Sequence, residues 1–163
     1  MPLKYSEIVK KLSSTVPFVG PEALERKLTR NFNARIGANE SVFGPSPLAV
    51  KAMKNSIFST WMYGDPENYD LKIALAKKHC IKPENIFIGE GIDGILGYLV
   101  RMFIEFGDIV VTTDGSYPTF NYHVNGFGGK LEKVLFKEDH ENLEELLKRS
   151  NKYRAKLLYI SNP

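Results

Sequence analysis

Ile86-Phe87-Ile88-Gly89-Glu90-Gly91-Ile92-Asp93-Gly94 is the stretch whose reading decides the fold. An apolar run passes through closely spaced glycines into Ile92, Ile95, Leu96, Leu99, Val100 and Phe103, which recur at three and four residues and mark one broad apolar face of a helix ending near Gly107. A strand turning at glycine into such a helix is the opening of a strand–helix–strand unit. The first N–H groups of a helix lack intrahelical partners, the helix dipole favours negative charge there, and glycine lets an anion approach the backbone. The turn is read as a phosphate cradle, so function depends on which phosphate it takes.

Downstream, residues 108–113 form a continuous apolar strand, 117–125 a short helix, 130–136 a strand, 142–150 a helix and 156–161 a final buried strand. Upstream, Leu71, Ala74, Leu75 and Lys78 recur at helical spacing, and Leu48, Val50, Ala52, Met53 and Ile57 suggest a shorter helix. Two loops rich in turn formers, residues 35–47 and 61–67, separate these pieces, and the first 35 residues read as an arm. Strands alternating with helices predict an α/β fold built on a mostly parallel sheet covered by helices.

The 163 residues carry 22 basic and 19 acidic side chains, a net charge of only +3, with Lys and Arg scattered rather than gathered on a stripe. That argues against nucleic acid as a partner. One cysteine, Cys80, supports no internal disulfide, and His79, His123 and His140 show no metal-ligand spacing; surface or loop positions are expected for all three. No apolar run is long enough to span a bilayer and the first residues lack the apolar core of a signal peptide, which sets the expectation of a cytoplasmic protein without a membrane partner. Glu138-Asp139-His140-Glu141 reads as a solvated loop entering a helix, and Phe120, Tyr122 and Phe127 as aromatics of the core.

Two phosphate cofactors compete for the glycine turn. Gly89, Gly91 and Gly94 satisfy the formal dinucleotide fingerprint, and Asp114 ends the next strand where a ribose-binding acid is expected, which together suggest an NAD(P)-binding oxidoreductase. Against this, the turn comes after more than half the chain, and Glu90 adds a carboxylate beside a pyrophosphate.

More of the chain is accounted for by a resemblance to the fold type I pyridoxal-phosphate-dependent aminotransferases, in the branch that contains histidinol-phosphate aminotransferase. Ile36-Gly37-Ala38-Asn39-Glu40-Ser41-Val42-Phe43-Gly44-Pro45 is similar to the family's Asn-Glu loop, with Ser41-Val42 in place of Asn-Pro. Tyr63-Gly64-Asp65-Pro66 resembles its Tyr-Pro-Asp-Pro segment, Gly89 to Gly94 its phosphate cup with Gly94 replacing an acid, and Thr112-Thr113-Asp114-Gly115-Ser116-Tyr117-Pro118 the segment bearing a ring-stacking aromatic. Leu158-Tyr159-Ile160-Ser161-Asn162-Pro163 looks like the lead-in to its Asn-Pro loop.

The resemblance implies a three-layer, mostly parallel sheet with helices on both faces, incomplete in this chain, divided into an arm and start of a small domain (1–55) and the first half of a large cofactor domain (56–163). It implies pyridoxal phosphate as cofactor, with Gly91, Ile92 and Asp93 at the phosphate, Tyr117 on the ring, Tyr63 completing the phosphate site of a homodimer partner, and Ala38 and Asn39 beside the amino acid and 2-oxo acid substrates. The Schiff-base lysine is expected downstream: Lys152 and Lys156 precede a strand at the end opposite the cup, so the chain alone is expected to be inactive. A non-catalytic interaction fragment is the other alternative. By the implied topology residues 108–113 and 130–136 are neighbours, whereas 86–89 and 156–161 are expected to lack sheet partners.

Overall fold

The computed structural model describes residues 4–14, 18–36 and 40–162. The chain divides into two compact units, one of Met1–Val19 with Gly89–Pro163 and one of Gly20–Ile88. The first unit holds helix α1 (Glu7–Lys11) and the second holds α2 (Pro21–Leu28), α3 (Pro47–Ser56) and α4 (Tyr69–His79). The first unit then continues with α5 (Gly91–Phe103), strand β1 (Ile109–Thr113), α6 (Pro118–Gly126), β2 (Lys130–Val134), α7 (Leu143–Tyr153) and β3 (Leu157–Leu158).

The sheet order is β2-β1-β3, with both pairs parallel. Ile109-Val110-Val111-Thr112-Thr113 is β-branched throughout, which suits a strand buried on both faces. Successive side chains of a strand point to opposite faces, and β1 uses both. Val110 packs with Leu96 and Val100 of α5, with Ile104, and with Phe120 and Val124 of α6. Val111 packs with Val134 and with Leu146 of α7. Helices therefore cover both faces, as the strand and helix alternation predicted.

Two expectations about pairing had different outcomes. Residues 86–89 lie in no ladder among the described residues; Ile86 is extended (φ −115°, ψ 122°), yet a strand needs a neighbour as well as apolar residues. Residues 156–161, expected to lack partners, do pair: Val110 faces Leu157 and Val111 faces Leu158 in register. Lys156 N–H donates to Ile109 O at 2.8 Å and Tyr159 N–H to Val111 O at 2.9 Å. The cause is α7, which crosses the face of the sheet opposite α5 and α6 and returns the chain to the free side of β1.

Asn142 starts α7 by accepting Glu145 N–H at 3.2 Å, a side-chain cap that spares one unpaired amide. Three helices stop on residues in the left-handed region: Thr29 after α2 (φ 54°), Cys80 after α4 (φ 55°) and Arg154 after α7 (φ 50°). Leu146 of α7 is completely buried against the sheet. Leu146→Ala is expected to lower stability by about 2–5 kcal/mol, read as a shift of the urea unfolding midpoint, because the cavity forms where α7 holds the sheet.

Candidate functional site

The start of α5 is built to stay open. Gly91 sits in the left-handed region (φ 72°), and a Cβ added there would meet nothing within 4 Å. Its own N–H turns back to Gly89 O at 2.8 Å, so of the three amides expected in the cup this one already has a partner. Glu90 stands at the capping position but makes no cap. Its carboxylate instead lies over Gly94, where a Cβ would be 2.9 Å from Oε2, and Oε1 accepts the Tyr98 O–H at 3.3 Å. Gly94 thus makes room for Glu90. Ile92 and Asp93 are exposed in the first turn, where N–H groups have no intrahelical acceptor.

Tyr117 is brought to the same place. The loop leaving β1 turns at Gly115 (φ 90°), the buried hydroxyls of Thr112 and Ser116 bond at 3.1 Å, and Tyr117 stands just before α6 with Pro118 opening the helix behind it. The half-buried Tyr117 ring packs against the α5–α6 core, and its O–H donates to Asp93 Oδ1 at 2.6 Å. The Asp93 carboxylate beside it, followed by desolvation, holds the Tyr117 phenol above its ordinary pKa. Farther along, Gly97 leaves space for His123: a Cβ there would stand 2.9 Å from His123 Cε1. His123, expected at the surface, is instead lodged between α5 and α6, and its Nε2 is buried with no partner among the described residues. Phe120 is a core residue as expected, stacked on Tyr159 with ring centroids 4.0 Å apart, whereas Tyr122 and Phe127, expected there too, are exposed.

A cavity of about 910 Å³ lies beside Tyr117 at the carboxyl ends of all three strands, the usual place for a ligand in an open parallel sheet. Ser116 and Tyr117 border it after β1, Phe136 after β2, and Ile160 to Asn162 after β3. Glu141, expected to be solvated, folds in to line it and accepts the Thr113 hydroxyl. It gets there because Glu138 and Asp139 both adopt left-handed conformations (φ 51° and 60°) and Lys137 and His140 exchange backbone hydrogen bonds across the turn. Charge composition alone gave no signal for that reversal. Asp114, the acid of the dinucleotide alternative, is paired with Lys133 at 2.9 Å.

The remaining expected residues are elsewhere. Tyr63 belongs to the other unit and is fully exposed. Ala38 and Asn39 lie outside the described residues. In the Tyr63-Gly64-Asp65-Pro66 segment it is Asp65 that fastens the start of α4. Its Oδ1 accepts Glu67 N–H at 3.0 Å and its Oδ2 accepts Tyr69 N–H at 2.7 Å.

No protein-family model matches the chain. The histidinol-phosphate aminotransferase of Moorella thermoacetica is 31% identical over 160 residues, covering 98% of this chain and 41% of that protein. The same enzyme of an Anaeromyxobacter species is 31% identical over 159 residues, 95% of this chain and 43% of the relative. The crystal structure of histidinol-phosphate aminotransferase from Sinorhizobium meliloti in complex with pyridoxal-5'-phosphate superposes with a TM-score of 0.90 at 51% identity, over 98% of this chain and 42% of that one. The chain therefore carries the fold of the pyridoxal-phosphate-dependent aminotransferases of fold type I. The histidinol-phosphate aminotransferases named above are among its relatives, and the chain spans about two fifths of their length.

Asp65 supplies a pH prediction. The amides of Tyr69, then Glu67, hold its carboxyl below the usual aspartate range. A depressed folded-state pKa contributes stability that is full above the unfolded value and lost as pH falls through the folded one. Acid titration followed by circular dichroism is expected to show helix loss in that window for the native chain, and Asp65→Ala is expected to show lower helicity near neutrality with that acid step removed.

Proposed function

We propose that the whole protein is an aminotransferase, moving an amino group between an amino acid, or an amino alcohol phosphate, and a 2-oxo acid. Pyridoxal phosphate is its cofactor, and this chain supplies the phosphate-holding and ring-facing wall of the site. The observation that carries the proposal is the meeting of an uncapped, glycine-opened start of α5 with Tyr117 at the carboxyl ends of parallel strands. A relative of the same fold, crystallised with pyridoxal-5'-phosphate, supports it. The donor set fits: amides without a cap favour an anion, and an aromatic ring stands beside them.

When bound, the group contributes a protonated ring that withdraws electrons from the substrate. The chain's own part is to bind and orient. In this reading the amides of Ile92 and Asp93 hold the phosphate, while Gly91 keeps the approach open. Tyr117 covers one face of the ring and so fixes its plane, which decides which substrate bond lies parallel to the conjugated orbitals. Ala38 and Asn39 border the substrate, and Tyr63 of each subunit of a homodimer reaches the phosphate site of the other. The two-part division at residues 55 and 56 describes the whole enzyme, and the anchoring lysine lies in the part of the protein that this chain does not span. No helix among the described residues is long and apolar enough to cross a membrane, and the cytoplasm is the proposed location.

Equilibrium dialysis tests the cofactor. The chain is expected to retain pyridoxal phosphate in competition with inorganic phosphate, with no visible absorbance change and no turnover, and to ignore nicotinamide dinucleotide. The full-length protein is expected to develop a visible band with pyridoxal phosphate. Dinucleotide retention, or a stoichiometric visible band with the 163-residue chain, would contradict the proposal.

A further inference from the structure

An acid in the first turn of a helix ordinarily turns back on its own backbone. A carboxylate at the third helical position reaches the N-cap amide, and one at the cap accepts the next free N–H groups. Either arrangement at α5 would occupy donors that an anion needs and place negative charge beside it. Asp93 stands at the third position of α5 and does neither. Its Oδ1 accepts the Tyr117 O–H at 2.6 Å, a contact spanning 24 residues of sequence that joins the first turn of α5 to the residue just before α6. The Tyr117 ring is anchored at its other end, where it packs against the core between the same two helices.

We propose that the Asp93 side chain is a positioning residue for Tyr117: by holding the phenol it fixes the ring plane over the open start of α5, and by facing Tyr117 it leaves the helix amides free. This rests on Tyr117 being the ring-facing residue of the cofactor site. In this reading the Asp93 amide would hold the phosphate, and the carboxylate, already facing Tyr117, would not. A hydrogen bond to a charged acceptor is stronger than a neutral one, and a ring held at both ends loses little further freedom when a ligand arrives. Thr119, which lowers the phenol's pKa, and Tyr159, which raises it, share the local field with Asp93.

The test separates this role from a merely structural one and from the cofactor reading. In the chain labelled at its eight tyrosines, carbon NMR is expected to show Tyr117 titrating above the ordinary phenol range and its ring flipping slowly. In Asp93→Ala, whose side chain is exposed, Tyr117 is expected to titrate lower than in the native chain and to flip freely at an unchanged melting temperature. Asp93→Asn, which keeps an acceptor but no charge, is expected to retain the slow flipping. Pyridoxal phosphate affinity is expected to fall about fivefold in Asp93→Ala and in Tyr117→Phe, no further in the double variant, and less than about twofold in Asp93→Asn. Unchanged ring motion and titration in Asp93→Ala would overturn the proposal, as would additive losses in the double variant. Absence of pyridoxal phosphate binding to the native chain would refute the cofactor reading, and the NMR experiment would still decide whether Asp93 positions the ring.

Discussion

Burial of β1 on both faces is the constraint on which the rest of the first unit depends. Val110 and Val111 are fully enclosed on opposite sides of the sheet, the first under α5 and α6, the second under α7. A strand with two buried faces satisfies its backbone only through neighbours on both edges, and β2 and β3 provide them. Once β1 is fixed, the loop that leaves it is fixed too. Thr112, Thr113 and Ser116 are buried hydroxyl residues at the point where the chain turns toward Tyr117. The apolar strand and the polar loop are thus one device, the first giving rigidity and the second aiming a ring.

The site gains its geometry from small residues as much as from large ones. Gly91 permits a left-handed turn, Gly94 admits the Glu90 side chain and Gly97 admits the His123 ring, so three glycines on α5 serve three different ends. The first faces outward to solvent and the third faces α6. Because α5 carries the proposed phosphate amides and Tyr117 directly precedes α6, the seating of His123 against Gly97 sets the spacing of the two halves of the proposed site.

Much of this was legible in the sequence because it follows from periodicity. The spacing of Leu96, Val100 and Phe103 identified α5, and the β-branched run identified β1. What the sequence did not show depends on contacts between distant residues. The pairing of β3 with β1 follows from the face that α7 covers, which no local pattern states. Glu141 turns inward because two preceding residues take left-handed conformations, and no charge pattern signals that. His123 carries no mark in sequence of the notch that Gly97 leaves for it. Asp93 was legible as a helix-start residue, but its partner, 24 positions away, was not.

The helix ends at Thr29, Cys80 and Arg154 have one more implication. Each closes a helix in a conformation that costs an L-residue roughly 1–2 kcal/mol and costs glycine almost nothing. None of the three lies in the proposed site, so the molecule tolerates avoidable strain away from its chemistry. A lineage under pressure from heat could therefore gain rigidity through ordinary changes at these termini, leaving the proposed coenzyme wall untouched.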